Sequence, residues 1–150
     1  MIEIRTAVPA DLERVLDLLT MQLRENSVPV GALQLRSATL QMLERPWLGR
    51  ILLAASGETL VGVAVLSFLW TLEHGGATMW LDELYVDPRQ RRAGLGSRLL
   101  EAAMAIARDR GCLALDLEVE PGHEDAVRLY ERWGFRRLPR ERWMRPLARS

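Results

Sequence analysis

Ile2 and Ile4 alternate with charged neighbours, the period of a short strand with one buried face. From Pro9 the period changes. Leu12, Val15, Leu16, Leu19 and Leu23 fall at i, i+3, i+4, i+7 and i+11, which predicts an amphipathic helix. Proline opens it without loss, because a first-turn N–H has no helical acceptor. A second, less regular helix is predicted over Gly31–Arg45, stopping before Pro46. Residues 50–56 and 59–70 are apolar runs joined by Ser56-Gly57-Glu58, a hairpin signature, and Glu73-His74-Gly75-Gly76 marks a second turn. Met79–Val86 reads as the next strand, ended by Asp87-Pro88. Leu95, Leu99, Ala102, Ala103 and Ile106 then mark a helix that ends near Gly111. Cys112–Val119 reads as a strand broken by Pro121-Gly122. Ala126, Leu129, Tyr130 and Trp133 give a short helix closed by Gly134, and two brief strands are expected in 135–147.

That order predicts one α+β (mixed α/β) domain over 1–150, with a meander and one parallel insertion where a helix links two strands. The 150 residues suit a single core, and no repeat, low-complexity tract or linker interrupts them. Twenty basic and twenty acidic residues cancel, which argues against a nucleic-acid-coating protein. Every basic residue is arginine, so no lysine is present to form a Schiff base. Leu60–Trp70, the longest apolar stretch, falls short of the roughly 18 to 20 residues a membrane helix needs. The start, Met1–Arg5, lacks the regions of a signal peptide, and a lone cysteine fits a reducing compartment. The expectation is a cytoplasmic protein with no membrane or nucleic-acid partner. Cys112 lacks an activating basic neighbour and reads as a structural thiol. His74, His123 and Cys112 are too dispersed to form a metal site, so no metal is expected.

The most informative segment is Tyr85-Val86-Asp87-Pro88-Arg89-Gln90-Arg91-Arg92-Ala93-Gly94-Leu95-Gly96-Ser97. A strand ends, a basic loop follows and two glycines open a helix, whose first N–H groups lack helical partners and can donate to an anion. The run is not a P-loop, which needs a Gly-Lys-Ser/Thr ending. It is not a dinucleotide fingerprint either, since Leu99 stands at the third glycine. By spacing alone it is equally a glycine-rich turn with solvated arginines.

The loop resembles the Arg/Gln-x-x-Gly-x-Gly/Ala segment of the GNAT superfamily of N-acetyltransferases, matched by Arg91, Gly94 and Gly96. The Ile4-Arg5 start, Trp80–Pro88 and Leu129-Tyr130-Glu131-Arg132-Trp133-Gly134-Phe135 resemble the same family, in the same order. The resemblance implies the acyl-CoA N-acyltransferase fold. In that fold six to seven mostly antiparallel, twisted strands are flanked by about four helices and splay apart between Met79–Val86 and Cys112–Val119. It implies acetyl-CoA as co-substrate, held at the pyrophosphate by Arg91, Arg92, Ala93, Gly94, Leu95, Gly96 and Ser97. Leu84, Tyr85 and Val86 would lie along the thioester and pantetheine. Arg92 departs from the pattern, since many relatives carry glycine there. His123 also departs, standing where many carry an asparagine that binds strand or cofactor. The resemblance further implies a homodimer, with Trp143-Met144 at the subunit interface.

Acetyl transfer needs an acceptor of the amine's proton, a donor to the departing thiolate, and a backbone N–H for the carbonyl oxygen, for which Val86 is placed. Tyr130 matches the family tyrosine that points at the sulfur. Asp82 and Glu83, adjacent on a strand, should point to opposite faces. An acidic residue stands at the position of Asp82 in several amine-acetylating relatives, so Asp82 is preferred as base, with Glu83, Glu118 or a water chain as alternatives. Residues 71–88 and 111–127 hold nine acidic residues and no arginine. That skew would concentrate a small cationic amine acceptor, such as a polyamine, amino sugar or basic peptide end, or equally be solvated strand-edge charge. Two alternatives remain: a non-catalytic acyl-CoA-binding regulatory module, and an N-acetyltransferase acting on proteins or peptides.

Overall fold

The stripe that begins at Leu12 forms helix α1, Leu12–Glu25, entered through a 3-10 turn at Pro9–Asp11. Helix α2 follows at Ala32–Glu44. The strands are β1 (Ile2–Thr6), β2 (Gly49–Ser56), β3 (Thr59–Thr71), β4 (Gly76–Val86) and β5 (Leu115–Leu117). Helix α3, Leu95–Asp109, carries the chain from β4 to β5, and α4 spans Glu124–Arg132. The computed structural model describes residues 1–25 and 30–147. Within it the chain divides into two units, Met1–Glu118 and Val119–Ser150.

In the first unit the sheet order is β1-β2-β3-β4-β5; neighbours are antiparallel except β4 and β5, which run parallel. Helices α1 and α2 cover one face. There Val15, Leu18 and Leu19 meet Ile51, Leu53, Val63 and Val65 in one cluster. Helix α3 covers the other face with Leu99, Leu100 and Ala103, all fully buried. Its approach at Gly62 is close: an added Cβ would stand 3.2 Å from Leu99 Cδ1 and from the Tyr85 carbonyl oxygen, tighter than ordinary van der Waals contact. Beside α1, buried Asp11 accepts both guanidinium nitrogens of Arg5 at 2.8 Å, Arg14 at 2.7 Å and the Val8 amide at 2.8 Å. The Arg5 hydrogen bonds, outweighing burial, hold the Asp11 carboxyl well below the usual carboxylate range.

The mixed sheet is the expected one, with five strands instead of six or seven. Residues 135–147 contain no strand. Pro139 and Pro146 each remove a ladder donor, and the intervening arginines leave no apolar alternation to bury. The predicted Cys112–Val119 strand contracts to three residues, which pair with β4 only at Met79↔Leu115, Trp80↔Asp116 and Leu81↔Leu117. Strand β4 continues for five more residues while β5 has ended, which is the expected parting of the two strands. In the second unit, α4 is the one regular element among the described residues. Among the described residues no helix is long and apolar enough to cross a membrane.

Candidate active site

Strand β4 contains an irregularity at the point where β5 leaves it. Val65 pairs with Glu83 and Leu66 with Leu81, so Asp82 is an extra residue, a β-bulge. The expectation that Asp82 and Glu83 face opposite ways fails for this reason. Asp82 accepts a short hydrogen bond from the Ser67 hydroxyl. Ser67 lies two residues from Val65, the partner of Glu83, on a stretch of β3 that pairs regularly with β2, so both carboxylates belong to the α1/α2 face. Asp82 is exposed there and Glu83 half-buried.

The bulge also turns the backbone. In a regular strand the N–H groups of residues i and i+2 point to the same edge. Met79 N donates to Ala114 O, on the β5 side, at 3.1 Å, whereas Asp87 N donates to Val61 O, on the β3 side, at 2.8 Å. These residues are eight apart and would share an edge without the extra residue. Past the bulge, therefore, the N–H of Val86 faces the edge that β5 has vacated. The Val86 carbonyl faces the same way and accepts Arg91 Nε at 2.9 Å.

Above Glu83 lies a cavity of about 230 Å³. Leu19 and Leu23 of α1, Leu35 and Met42 of α2, and Ile51 and Val65 of the sheet line it. Its wall also includes Thr39, whose hydroxyl donates to the Leu35 carbonyl of its own helix at 2.7 Å. Glu83 is the one acidic residue among the described lining. Of the nine acidic residues in 71–88 and 111–127, only Glu83 belongs to the cavity's described lining.

The loop after β4 is held by its own side chains. Buried Asp87 accepts the Arg89 amide at 2.9 Å and Arg89 Nη2 at 2.8 Å, and these hydrogen bonds lower its pKa. Arg91 Nη2 donates to both oxygens of Glu25 at the end of α1, and its guanidinium lies 5.4 Å from the Tyr85 ring centroid. Tyr85 is buried in the α1/α2 core, and burial, reinforced by Glu25, pushes its phenol pKa up. The Arg91 side chain thus ties loop to helix. Arg92 is exposed with φ 67°, in the left-handed region that favours glycine. Gly94 has φ 77° and begins α3 with no side-chain cap, and a Cβ there would meet nothing within 4 Å. Uncapped amides at Leu95, Gly96 and Ser97 beside this open space fit a pyrophosphate.

A cluster that sequence spacing hid stands at the β3–β4 turn. His74 Nε2 lies 2.9 Å from Asp116 Oδ2 and 3.5 Å from Glu73 Oε1. One ligand atom from each of the three residues falls within 4.8 Å of the others. The residues are up to 43 positions apart in the chain, and only the parallel pairing of β5 with β4 joins them.

In the second unit Tyr130 is 9% exposed and meets Phe135 edge-on, with ring centroids 5.6 Å apart. The Phe135 amide donates to the Tyr130 carbonyl at 3.0 Å, which fixes the chain as it leaves α4. His123 occupies the N-cap of α4, exposed and without a side-chain capping bond. Leu84, Tyr85, Val86 and the 91–97 loop are gathered in the first unit, whereas His123 and Tyr130 belong to the second.

Residues 13–135 match the Acetyltransferase (GNAT) family profile. Thialysine N-epsilon-acetyltransferase of Sus scrofa is 33% identical over 85 residues, covering 55% of this chain and 48% of that protein. Mycothiol acetyltransferase of Thermobispora bispora is 40% identical over 113 residues, covering 67% of this chain and 37% of that protein. The chain therefore spans about half or less of these relatives. A solved structure from Arthrobacter sp. FB24 is 36% identical, covers 97% of this chain and 96% of that one, and superposes with a TM-score of 0.80.

Proposed function

The chain belongs to the acetyltransferase (GNAT) family, and from that premise we propose that it transfers an acetyl group from acetyl-CoA to a primary amine by direct attack within a ternary complex. The observation that carries this reading is the bulge at Asp82. One extra residue gives β4 both a carboxylate on the cavity floor, Glu83, and an outward N–H at Val86, on the edge left open by β5.

Acetyl-CoA, when bound, supplies an activated thioester carbonyl. The amides of Leu95, Gly96 and Ser97 and the exposed Arg92 would hold its pyrophosphate, and the open edge of Leu84–Val86 its pantetheine arm. Val86 N–H is available to an oxygen that gains negative charge. Glu83 takes the proton of the attacking amine as the N–C bond forms and the C–S bond breaks, and CoA leaves as the thiol. Glu83 replaces Asp82 as the preferred base because it lines the cavity, whereas Asp82 is exposed and engaged by Ser67. The role of Tyr130 as proton donor to the thiolate rests on the family resemblance alone. The relatives named for thialysine and mycothiol support a small amine-bearing acceptor.

Calorimetric titration of acetyl-CoA into wild type and the Arg91→Ala, Gly94→Glu double variant tests the reading. Micromolar binding that the variant loses, with CoA released once an amine is added, supports an enzyme. Binding without release for any amine points to a regulatory acyl-CoA-binding module, and no binding removes the proposal.

A further inference from the structure

The cavity above Glu83 selects among amines, and this inference rests on the acetyltransferase reading. Its described lining is aliphatic apart from two groups. One is the Thr39 hydroxyl, which donates to the Leu35 carbonyl at 2.7 Å and keeps a neutral oxygen as acceptor, and the other is the Glu83 carboxylate. A single cation is therefore matched at one end only. A second ammonium group, or a ring of hydroxyls, would lose its water among Leu19, Leu35, Met42 and Ile51 with only the neutral Thr39 oxygen as a further acceptor in the described lining, which is costly in an apolar site. The cavity is open to solvent on one side, and its volume sets how much of the acceptor is buried. An apolar cavity of about 150 Å³ is filled by benzene. The cavity here is about 230 Å³, which adds room for a tether of two or three atoms.

We infer that the acceptor is a monocationic primary amine with an apolar body, an arylalkyl or medium-chain alkyl amine whose nitrogen meets Glu83. The hydrocarbon occupies the space between α1, α2 and the sheet. Net attraction of polycations by the acidic segments does not decide the choice, because charge outside the cavity does not solvate a cation inside it.

The test is a CoA-release assay across n-alkylamines from propyl to octyl, phenethylamine, spermidine and glucosamine, on the full chain. The expected result is a kcat/KM that rises about threefold to fourfold per added methylene until the cavity is full. Phenethylamine should exceed spermidine by at least about tenfold. Met42→Ala, which enlarges the cavity wall, should move the optimum to a longer chain while acetyl-CoA affinity stays unchanged. A best rate with spermidine or glucosamine, or a flat dependence on chain length, overturns the inference and leaves the acetyltransferase reading intact. Absence of release with every amine overturns both, and acetyl-CoA calorimetry then tells whether the donor site survives.

Discussion

Arg91 Nη2 donates to both carboxylate oxygens of Glu25, at 2.9 and 3.1 Å, across 66 residues of chain. The arginine that the motif marks for a cofactor phosphate thus has its side chain bound to the end of α1 and to the Val86 carbonyl. Both partners of the ion pair are partly exposed, so removing it costs only about 0.5 to 1 kcal/mol of stability. Its larger effect is on where the loop amides sit. Glu25→Ala is expected to weaken acetyl-CoA binding about threefold to tenfold by calorimetry, with a melting temperature nearly that of wild type. Unchanged affinity would show that the loop holds its place without α1.

The two carboxylates at the bulge separate by substitution. Glu83→Gln should lower kcat by about a hundredfold or more, the usual scale for a lost general base, and remove the acid limb of the pH–rate profile. Asp82→Asn should change kcat by less than about fivefold, since that side chain serves Ser67. The reverse ranking would return the base role to Asp82.

Arg92 holds a left-handed backbone that costs a side-chain-bearing residue about 1 kcal/mol. Arg92→Gly is expected to offset its extra unfolded-chain entropy and raise the melting temperature by up to about 2 °C. If the arginine also meets the pyrophosphate, the same variant binds acetyl-CoA more weakly. A drop in both stability and affinity would mean that the loop is not held at this φ.

Asp11 links pH to stability. Its pKa is lowered in the fold, so its contribution is present above the unfolded value of about 4 and is lost as pH falls below it. Asp11→Ala removes the shared partner of Arg5 and Arg14 and should destabilise by about 2 to 3 kcal/mol at pH 7. In urea melts the deficit relative to wild type should narrow toward pH 3. A deficit independent of pH would assign the loss to packing.

Tyr130→Phe keeps the edge-on contact with Phe135 and removes only the hydroxyl. Acetyl-CoA affinity should stay within about twofold, and kcat should fall by about tenfold to a hundredfold if the phenol protonates the thiolate. An unchanged kcat removes that role.

Most of the fold was legible because its elements are locally specified. The 3.6-residue stripe of α1, the Ser56-Gly57-Glu58 turn and the Gly94 entry to α3 all appear where pattern and turn chemistry place them. The 135–147 segment misled because Trp143 and Met144 look strand-like among prolines and arginines that cannot sustain a ladder.

The linear sequence determined which residues could bind an anion and which strand would carry the carboxylates, since backbone donors and acidic side chains are local properties. Only the tertiary structure decided which face each carboxylate takes, because strand alternation counts residues and a bulge adds one that the pattern does not mark. Tertiary pairing likewise gave Arg91 to Glu25 and brought His74 to Asp116. It also built an apolar cavity over Glu83, whose character depends on helices contributed by distant segments and not on the acidic run around it.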